Sequence, residues 1–427
     1  MTASRPQAAG DATLAARRDF AALWSAHGVS LFGSLVTRVA IPFTAALVLH
    51  VPLAQLAVLN SADLIASLAV GLFAGAWVDR LPRRPLLIAC DLARAAALVA
   101  VPAAALSHHL TFTLLLVVQA ACGVFNTLFD VARSAYLPSL VGADGLVEAN
   151  AQLAGTGSIA EMSAFGIAGW LVQWLTGPVA VAVDAVSFVV SAGFLAAIRT
   201  TEPRPEPRAH ESAVRAIATL TAEVREGLAA TFGEREQRSL ALADALMHFM
   251  FGTFMASYTF YCTRELGLPA GPLGMIYGLG GVSGLAAAWL APRLGARFGQ
   301  GRVMAVGLLT AAVGFALATL APAHAAGPAM ALLAAQQLVG DGGLALFVIH
   351  AGSRRMELAA DHLRGRVASA SRFLSVALML AGVTFGGVVG TQSSARVVLA
   401  CGTGVLALAA LAIALSGAGK PAAAPAA

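Results

Sequence analysis

The stretch Gly75-Ala-Trp-Val-Asp79-Arg80-Leu-Pro-Arg83-Arg84 is a short charged hairpin between two long apolar runs. The run before it carries one charged residue, Asp63, and the run after it carries only Asp91 and Arg94. Each run is long enough for a helix to cross the ~30 Å hydrocarbon core of a bilayer. The stretch therefore predicts a loop between two membrane-spanning helices.

The composition points to lipid as the solvent. The 427 residues are 58% hydrophobic and only 11% charged, with a mean hydropathy of +0.79, whereas a soluble chain carries roughly 25% charged residues. The apolar runs are continuous over about 20 residues rather than alternating, which requires helices and not a β-barrel. The sequence predicts an all-α membrane protein and excludes a soluble enzyme.

The net charge of +5 does not indicate a nucleic-acid partner. Of the 27 basic residues all but Lys420 are arginine, and most of them lie between apolar runs, where they report topology. The four cysteines are scattered without a C-x-x-C pair, so neither a metal site nor a disulfide framework is predicted. The first 18 residues contain no apolar core, so we expect no cleavable signal peptide.

Hydropathy predicts twelve spanning segments in two halves of six. The segments lie at about 20–48, 53–78, 84–106, 110–137, 147–175, 178–198, 239–263, 270–293, 302–322, 326–350, 364–389 and 394–416. The predicted organisation is a cytoplasmic tail (1–19), a six-helix bundle (20–198), a cytoplasmic linker (199–238), a second six-helix bundle (239–416) and a disordered tail (417–427).

Arginine placement predicts the orientation. One set of loops holds nearly all the arginines, whereas the alternate loops hold only Arg264 and Arg396. The positive-inside rule then puts both termini and the long linker in the cytoplasm, as in a bacterial-type inner membrane.

The linker begins with Thr201-Glu-Pro-Arg-Pro-Glu-Pro-Arg208, which predicts an extended segment. Apolar residues then recur every three or four positions, as expected of an amphipathic helix. These residues are Val214, Ile217, Leu220, Val224 and Leu228. The linker is interpreted as a tether between the two halves, with a regulatory or partner-binding role as the alternative.

Two sequence echoes indicate an internal duplication. Gly75-Ala76-Trp77 with its charged loop is echoed by Ala287-Ala288-Trp289 with Pro292 to Arg297, and Ala143-Asp-Gly-Leu146 by Ala360-Asp-His-Leu363. Both offsets are close to half the chain, so we expect two related six-helix units with a transport site at their interface.

At this point the sequence resembles the major facilitator superfamily. The pattern Gly75-x-x-x-Asp79-Arg80-x-x-Arg83-Arg84 is similar to the family's signature loop between its second and third helices, with Pro82 in place of the usual glycine. Three further stretches are similar to the drug- and siderophore-exporter branch, and these are Ala132 to Val141 with Leu146 to Asn150, Asp184 to Phe188, and Asp361 to Val367.

The resemblance implies a gating role for the first loop. Asp79 is then expected at the N-terminus of the helix that begins near Arg364, where it holds the outward-open state, and Arg80, Arg83 and Arg84 pair with acidic groups or lipid phosphates. The alternative is that these arginines only anchor the topology. Two family features of proton-driven exporters are missing, since there is no arginine near Gln119 to Gly123 and Phe165 stands where a proline is typical.

Ionisable residues inside spanning helices are functional candidates because burying them is costly. Arg38 and Asp63 lie at similar depth and are predicted to pair, either structurally or in coupling. Glu161 lies among small residues that favour a packed interface, where a carboxyl binds a proton or substrate or else has a hydrogen-bonded structural role. Asp341 lies a turn from Gln336 and Gln337, as expected of a polar cavity wall. For Asp184, nearer the outer edge of its helix, the resemblance implies cap or packing chemistry. Candidate inner-gate charges are Asp130, Arg133, Asp244 and Arg372.

The sequence therefore predicts a secondary transporter that exports an amphipathic small molecule in exchange for protons, without a cofactor. Its partners are the small molecule, protons and membrane lipid, and a monomer is expected although the sequence leaves oligomeric state open. A nutrient importer of the same fold, a transport-dead sensor and a membrane-embedded enzyme or receptor are the alternatives. No clustered nucleophile or set of metal ligands indicates the enzyme.

Overall fold

The computed structural model describes residues 5–200, 225–360 and 363–416. Within these ranges the regular structure is helical and no β-strand occurs. Eleven of the described helices are long and apolar enough to cross a membrane. The predicted all-α membrane fold is confirmed, and the expected number of twelve spans is met to within one.

The first five helices include one that covers two predicted spans. Their bounds are α1 Arg5–Leu47, α2 Leu53–Val78, α3 Arg83–Leu106, α4 Phe112–Leu175 and α5 Gly177–Ala197. Helix α4 is interrupted at Gly142, whose φ of 69° and ψ of 175° are not helical. Glycine adopts a positive φ without a Cβ clash, so the chain turns sharply there. The part of α4 after Gly142 is the expected fifth span, which is less apolar than the others.

The later helices contain two π-helical turns. A helical stretch at 225–233 precedes α6 Arg235–Phe260, α7 Ala270–Phe298, α8 Gln300–Thr319, α9 Ala326–Ala335, α10 Gly342–Leu358, α11 Arg364–Gln392 and α12 Ala395–Ser416. One π-helical turn, Tyr261–Glu265, ends α6, and the other, Gln336–Asp341, joins α9 to α10. Helices α9 and α10 with their π-helical turn form a single span. Such turns occur frequently at functional sites.

The described residues form two compact units. The first contains 5–50 and 59–200, and the second contains 51–58, 225–360 and 363–416. In the first unit α1 packs on α5 and the later part of α4, while α3 packs on α5 and the earlier part of α4. In the second unit α6 packs on α12 and α11, while α8 packs on α12 and α10. The same packing order recurs, as a duplicated six-helix unit requires.

The later copy of the first echo, Ala287 to Arg297, differs from its expected structure. Pro292 and Arg297 lie inside α7, which continues to Phe298, and the turn falls at Gly299 with a φ of 81°. The prediction that this charged stretch forms an inter-helix loop is therefore wrong. Arg293 donates to the Trp289 carbonyl oxygen at 2.8 Å and lies 4.1 Å from the centre of its ring, which lets the helix continue through the charged residues.

The described end of the linker docks on the second unit. Glu226 forms an ion pair with Arg366 of α11, and Gly227 lies directly against the Arg366 backbone. Most of the predicted amphipathic helix, the tail at 417–427, and Asp361 and His362 fall outside the described residues. The part of the linker at 225–233 is thus helical and packs against α11.

Candidate functional site

The opening charged stretch forms a tight turn between α2 and α3. Helix α2 ends at Val78, the Asp79 amide donates to the Gly75 carbonyl oxygen at 2.9 Å, and the Arg80 amide donates to Trp77 at 3.1 Å. Pro82 occupies the position before α3, with a φ of −63° and a ψ of 123°. Because proline already holds φ near this value, the substitution for glycine suits a turn that leads directly into a helix.

Arg84 of this turn caps another helix. Its Nε donates to the Leu195 carbonyl oxygen at 3.0 Å, and one terminal nitrogen donates to Ala196 at 2.5 Å. Both acceptors belong to the last turn of α5, where carbonyl groups lack helical partners and a cation is favourable. Arg84 therefore joins the start of α3 to the end of α5.

We expect Arg84→Ala to lower the free energy of unfolding by about 1–2 kcal/mol, because two charge-assisted hydrogen bonds are lost. Thermal unfolding of the purified protein in detergent measures the change. The control is Arg80→Ala, since Arg80 is exposed in the same turn. Equal stability of the two variants would mean that Arg84 acts only as a topology anchor.

A buried ion pair lies at the centre of the first unit. Arg94 and Asp91, both on α3, form this pair with exposed fractions of 3% and 0%. Arg94 also donates to Asn126 Oδ1 of α4 at 2.5 Å. Its guanidinium lies 4.0 Å from the ring centre of Phe188 on α5 and 4.6 Å from that of Phe129 on α4. One guanidinium thus contacts three helices.

A small polar cavity of about 50 Å³ adjoins this pair, which is room for about one or two water molecules. Its polar lining residues are Ser34, Thr37, Arg38, Asp63, Gln119, Asn126 and Asp184. Asp184 is 1% exposed and accepts a hydrogen bond from Ser187 Oγ at 3.0 Å. The cavity gathers side chains from α1, α2, α4 and α5 in an otherwise apolar bundle.

Arg38 and Asp63 face this cavity together but do not form a direct salt bridge. The positive charge of Arg38 acts on the Asp63 carboxyl, yet no hydrogen bond or ion pair within 4.0 Å joins them in the described part of the chain. Asp63 Oδ1 is buried and accepts no hydrogen bond there. The α2 backbone at Asp63 is in turn contacted closely by Gly123 of α4. Arg38 and Asp63, which were predicted to pair, therefore line the same polar cavity without touching each other.

Glu161 lies elsewhere. Its side chain is exposed, while its neighbours Ala160 and Ala164 are buried and pack with Leu35 of α1. The expectation that small residues enclose Glu161 in a packed interface is wrong, because successive helical residues point about 100° apart. The small residues form one face of α4, and Glu161 lies outside that face.

The four predicted inner-gate charges do not pair with one another as a group. Asp130 and Arg133 are joined at 3.4 Å on the same helix. Asp244 of α6 pairs with Arg355 of α10 at 3.5 Å and accepts a hydrogen bond from Ser375 of α11 at 2.6 Å. Arg372 is exposed and, among the described residues, makes no ion pair.

A second polar cluster lies in the second unit around Asp341. Tyr258 Oη donates to Gln336 Oε1 at 2.7 Å, and Gln336 Nε2 donates to Gln337 Oε1 at 3.2 Å. The Asp341 carboxylate lies against Gly280 of α7, where no side chain intervenes. Asp341, Tyr258 and the two glutamines are held by the π-helical turn and by α6.

Sequence reasoning missed Arg94, Asn126 and Arg355 as site residues, and it gave Asp184 no place in the cavity that this residue lines. The signal for Arg94 was present, since an aspartate and an arginine three residues apart in a spanning helix share one face. Arg355 and Asn126 carried no such signal. Among the described residues no group of three His, Cys, Asp or Glu side chains has the geometry of a metal site.

The sequence and the overall structure can be compared with those of known proteins. The sequence profile of the Major Facilitator Superfamily matches residues 23–382. A search of curated proteins finds no match to this sequence. The structure is similar to that of a bacterial homologue of the iron transporter ferroportin in its inward-facing state. That similarity has a TM-score of 0.72, an identity of 19%, and coverage of 93% of this chain and 98% of the other.

Two further solved structures share the architecture. The nucleoside transporter NupG aligns with a TM-score of 0.70 and 16% identity, covering 94% of this chain and 99% of the other. A bacterial homologue of the human lysosomal transporter Spinster, inward-facing and occupied, aligns with a TM-score of 0.69 and 14% identity, covering 93% and 96%. At these identities the similarity establishes the fold.

Proposed function

Since the chain belongs to the major facilitator superfamily, we propose that it is a secondary active transporter that exports an amphipathic small molecule in exchange for protons. The cavity in the first unit carries this proposal. Asp63 and Arg38 line it at roughly 15 Å from the outer ends of α2 and α1, about half the ~30 Å thickness of the hydrocarbon core. Ionisable groups are retained at such depth where they bind substrate or move protons.

Asp63 is the residue to which we assign proton coupling. Its Oδ1 has no hydrogen-bond donor in the described residues, and Arg38 acts on it without a direct salt bridge. A carboxylate in this arrangement is free to accept a proton, whereas Asp91 is engaged by Arg94. Protonation of Asp63 changes the charge of the cavity, and this change supplies the link between proton movement and the conformational cycle.

The proposal includes a bacterial-type inner membrane with both termini in the cytoplasm. The arginines of the turn at 79–84 and of α10 and α11 support this orientation through the positive-inside rule. The exported class is that of drug-like compounds or siderophores, which the resemblance of Ala132 to Val141 favours.

Flux through proteoliposomes with an imposed pH gradient tests the function. We expect at least one compound of an amphipathic panel to cross faster with the gradient than without it. Asp63→Asn should reduce this acceleration by about tenfold or more, the factor that corresponds to losing ~1.4 kcal/mol of interaction with the coupling proton. Glu148→Gln is the matched control, because Glu148 is an exposed carboxylate outside the cavity.

Three other results of the flux assay would each contradict one part of the proposal, namely the direction of transport, the proton coupling or transport itself. Acceleration in the direction of the proton gradient would identify an importer, and flux that ignores the gradient would exclude proton coupling. Absence of flux for every compound in a folded, reconstituted protein would favour a sensor.

A further inference from the structure

We propose that the cluster around Asp341 in the second unit binds the positively charged nitrogen of an organic ammonium compound, and that this compound is the transported substrate. The inference rests on the proposed transport function and adds the chemical class of the substrate. The binding group is the Asp341 carboxylate, with the Gln337 amide oxygen beside it at Gly280 and Tyr258 near it. Tyr277 lies next to Tyr258.

The first observation is that Asp341 lacks a cation. It lies about 22 Å along the span Ala326–Leu358, close to its middle, by the rise of a helix. No Lys, Arg or His side chain in the described part of the chain pairs with it. In the first unit, by contrast, Asp91 is paired with Arg94 and Asp63 lies near Arg38. A carboxylate kept at mid-depth without a protein cation is suited to a cationic ligand.

The second observation is that two acceptors converge beside Gly280. The position of a Cβ on Gly280 would be occupied by Asp341 Oδ2 and would lie 3.5 Å from Gln337 Oε1. Gln337 Oε1 already accepts from Gln336, which orients the amide so that its oxygen stays beside the carboxylate. A charged oxygen and a neutral oxygen side by side are the acceptors that an ammonium N–H group requires.

The third observation is the aromatic wall. Tyr277 lies one turn before Gly280 on α7, hence on the same helix face. Its ring centre is 5.6 Å from that of Tyr258, and Phe254 is stacked on Tyr258 at 5.6 Å. The Asp341 charge acts on Tyr258. Aromatic faces beside a carboxylate form the kind of site that recognises ammonium groups, whose charge interacts with the ring quadrupole.

The site is also reachable. Asp341, Tyr258, Tyr277 and Gly280 are all half-buried rather than enclosed. The carboxylate is carried by the π-helical turn Gln336–Asp341, which departs from regular helix geometry at the acceptors. A small cation therefore approaches from the side of Asp341, which keeps partial exposure, whereas Gln337 is buried.

Equilibrium binding of radiolabelled benzylammonium, which carries three N–H donors, to the full-length protein in detergent tests the inference. It needs no transport, so it succeeds or fails independently of the flux assay. We expect saturable binding, which its anionic counterpart benzoate does not displace. Asp341→Asn should weaken binding by about tenfold or more, the range of an ion pair joined to a cation–π contact. Glu357→Gln, a carboxylate near the cytoplasmic end of the same span, is the matched control and should bind as the native protein does.

Substitution of Tyr277 provides a second test that does not alter the charge. Tyr277→Phe keeps the ring and should retain affinity within about threefold, whereas Tyr277→Leu should weaken binding by about fivefold or more. The inference is overturned if Asp341→Asn binds the cation as the native protein does, or if Phe and Leu at position 277 are equivalent. It is also overturned if native protein binds no cation while Asp341→Asn loses proton-dependent flux, which would make Asp341 a proton site only. Failure of flux with cation binding intact would instead contradict the transport proposal.

Discussion

Replacing Arg94 by leucine is expected to lower the free energy of unfolding by about 3–5 kcal/mol, because Asp91 would stay buried without its cation. Asp91 is 0% exposed and its ion pair with Arg94 lies within α3. The same substitution removes the hydrogen bond to Asn126 and the contacts with the rings of Phe129 and Phe188. These contacts join α3 to α4 and α5, so the loss extends over the centre of the first unit.

Two comparison variants separate the charge effect from packing. The double variant Asp91→Leu with Arg94→Leu removes both charges and should recover most of the stability, since a buried ion pair contributes little net free energy over apolar side chains. Arg133→Leu removes one partner of the exposed pair with Asp130 and should cost about 0–1 kcal/mol. An Arg94 variant no less stable than the Arg133 variant would contradict the structure.

Unfolding in detergent can be followed with a thiol-reactive dye. Cys90, Cys122 and Cys262 are buried and become reactive only as the bundles open. Cys401 is exposed, so a Cys401→Ser background removes the constant signal. Cys90 and Cys122 lie in the first unit and Cys262 in the second, so single-cysteine versions would report which unit unfolds first.

Replacing Gly252 by alanine is expected to lower the free energy of unfolding by about 2–3 kcal/mol, because its Cβ has no room. Gly252 of α6 lies directly against the Met379 carbonyl oxygen of α11, and Gly382 of α11 lies against the Phe249 carbonyl oxygen of α6. The obstacles are backbone atoms, which cannot turn aside as a side chain does. The two helices would have to separate along their contact.

The predicted loss of stability in Gly252→Ala is opposite in sign to the usual effect of replacing glycine by alanine in a helix. Alanine normally favours a helix over glycine by up to about 1 kcal/mol. Gly404→Ala on α12, where nothing lies within 4 Å of the added Cβ, should therefore be neutral or stabilising in the same assay. Opposite shifts of the melting temperature for the two variants are expected. A stabilising effect of Gly252→Ala would show that α6 and α11 do not approach at this point.

Several residues of the candidate site could be predicted from the sequence, because the number of residues from the end of a helix gives the depth of a side chain in the membrane. Asp63, Arg38 and Asp341 were found as charges in apolar runs, and the structure places the first two around one cavity. Glu161 illustrates the limit of counting. Depth alone does not tell which way a side chain points, and in an all-round apolar helix there is no hydrophobic stripe to decide it.

Partners between distant segments could not be predicted for the same reason. Asn126 contacts Arg94, and Arg355 contacts Asp244, across 32 and 111 positions of the chain. The rotation of each helix about its axis brings these atoms together, and packing sets that rotation. The turn at Gly299 was misplaced because charged residues were taken to end a helix, whereas Trp289 covers Arg293 and α7 continues.

The solvent, the fold and the order of the spans follow from the amino-acid sequence alone. Continuous apolar runs exclude every backbone arrangement in lipid except the helix, and the charges between them mark the turns. Tertiary packing sets which buried charges meet: Arg94 with Asp91 and Asn126, and Asp63 across a cavity from Arg38. Asp341 lies near Tyr258 and, among the described residues, has no Lys, Arg or His partner. Hydrophobic burial is non-directional, so it specifies that helices pack. The close contacts of glycines such as Gly123 and Gly280 fix how they pack, and thereby which polar atoms face one another.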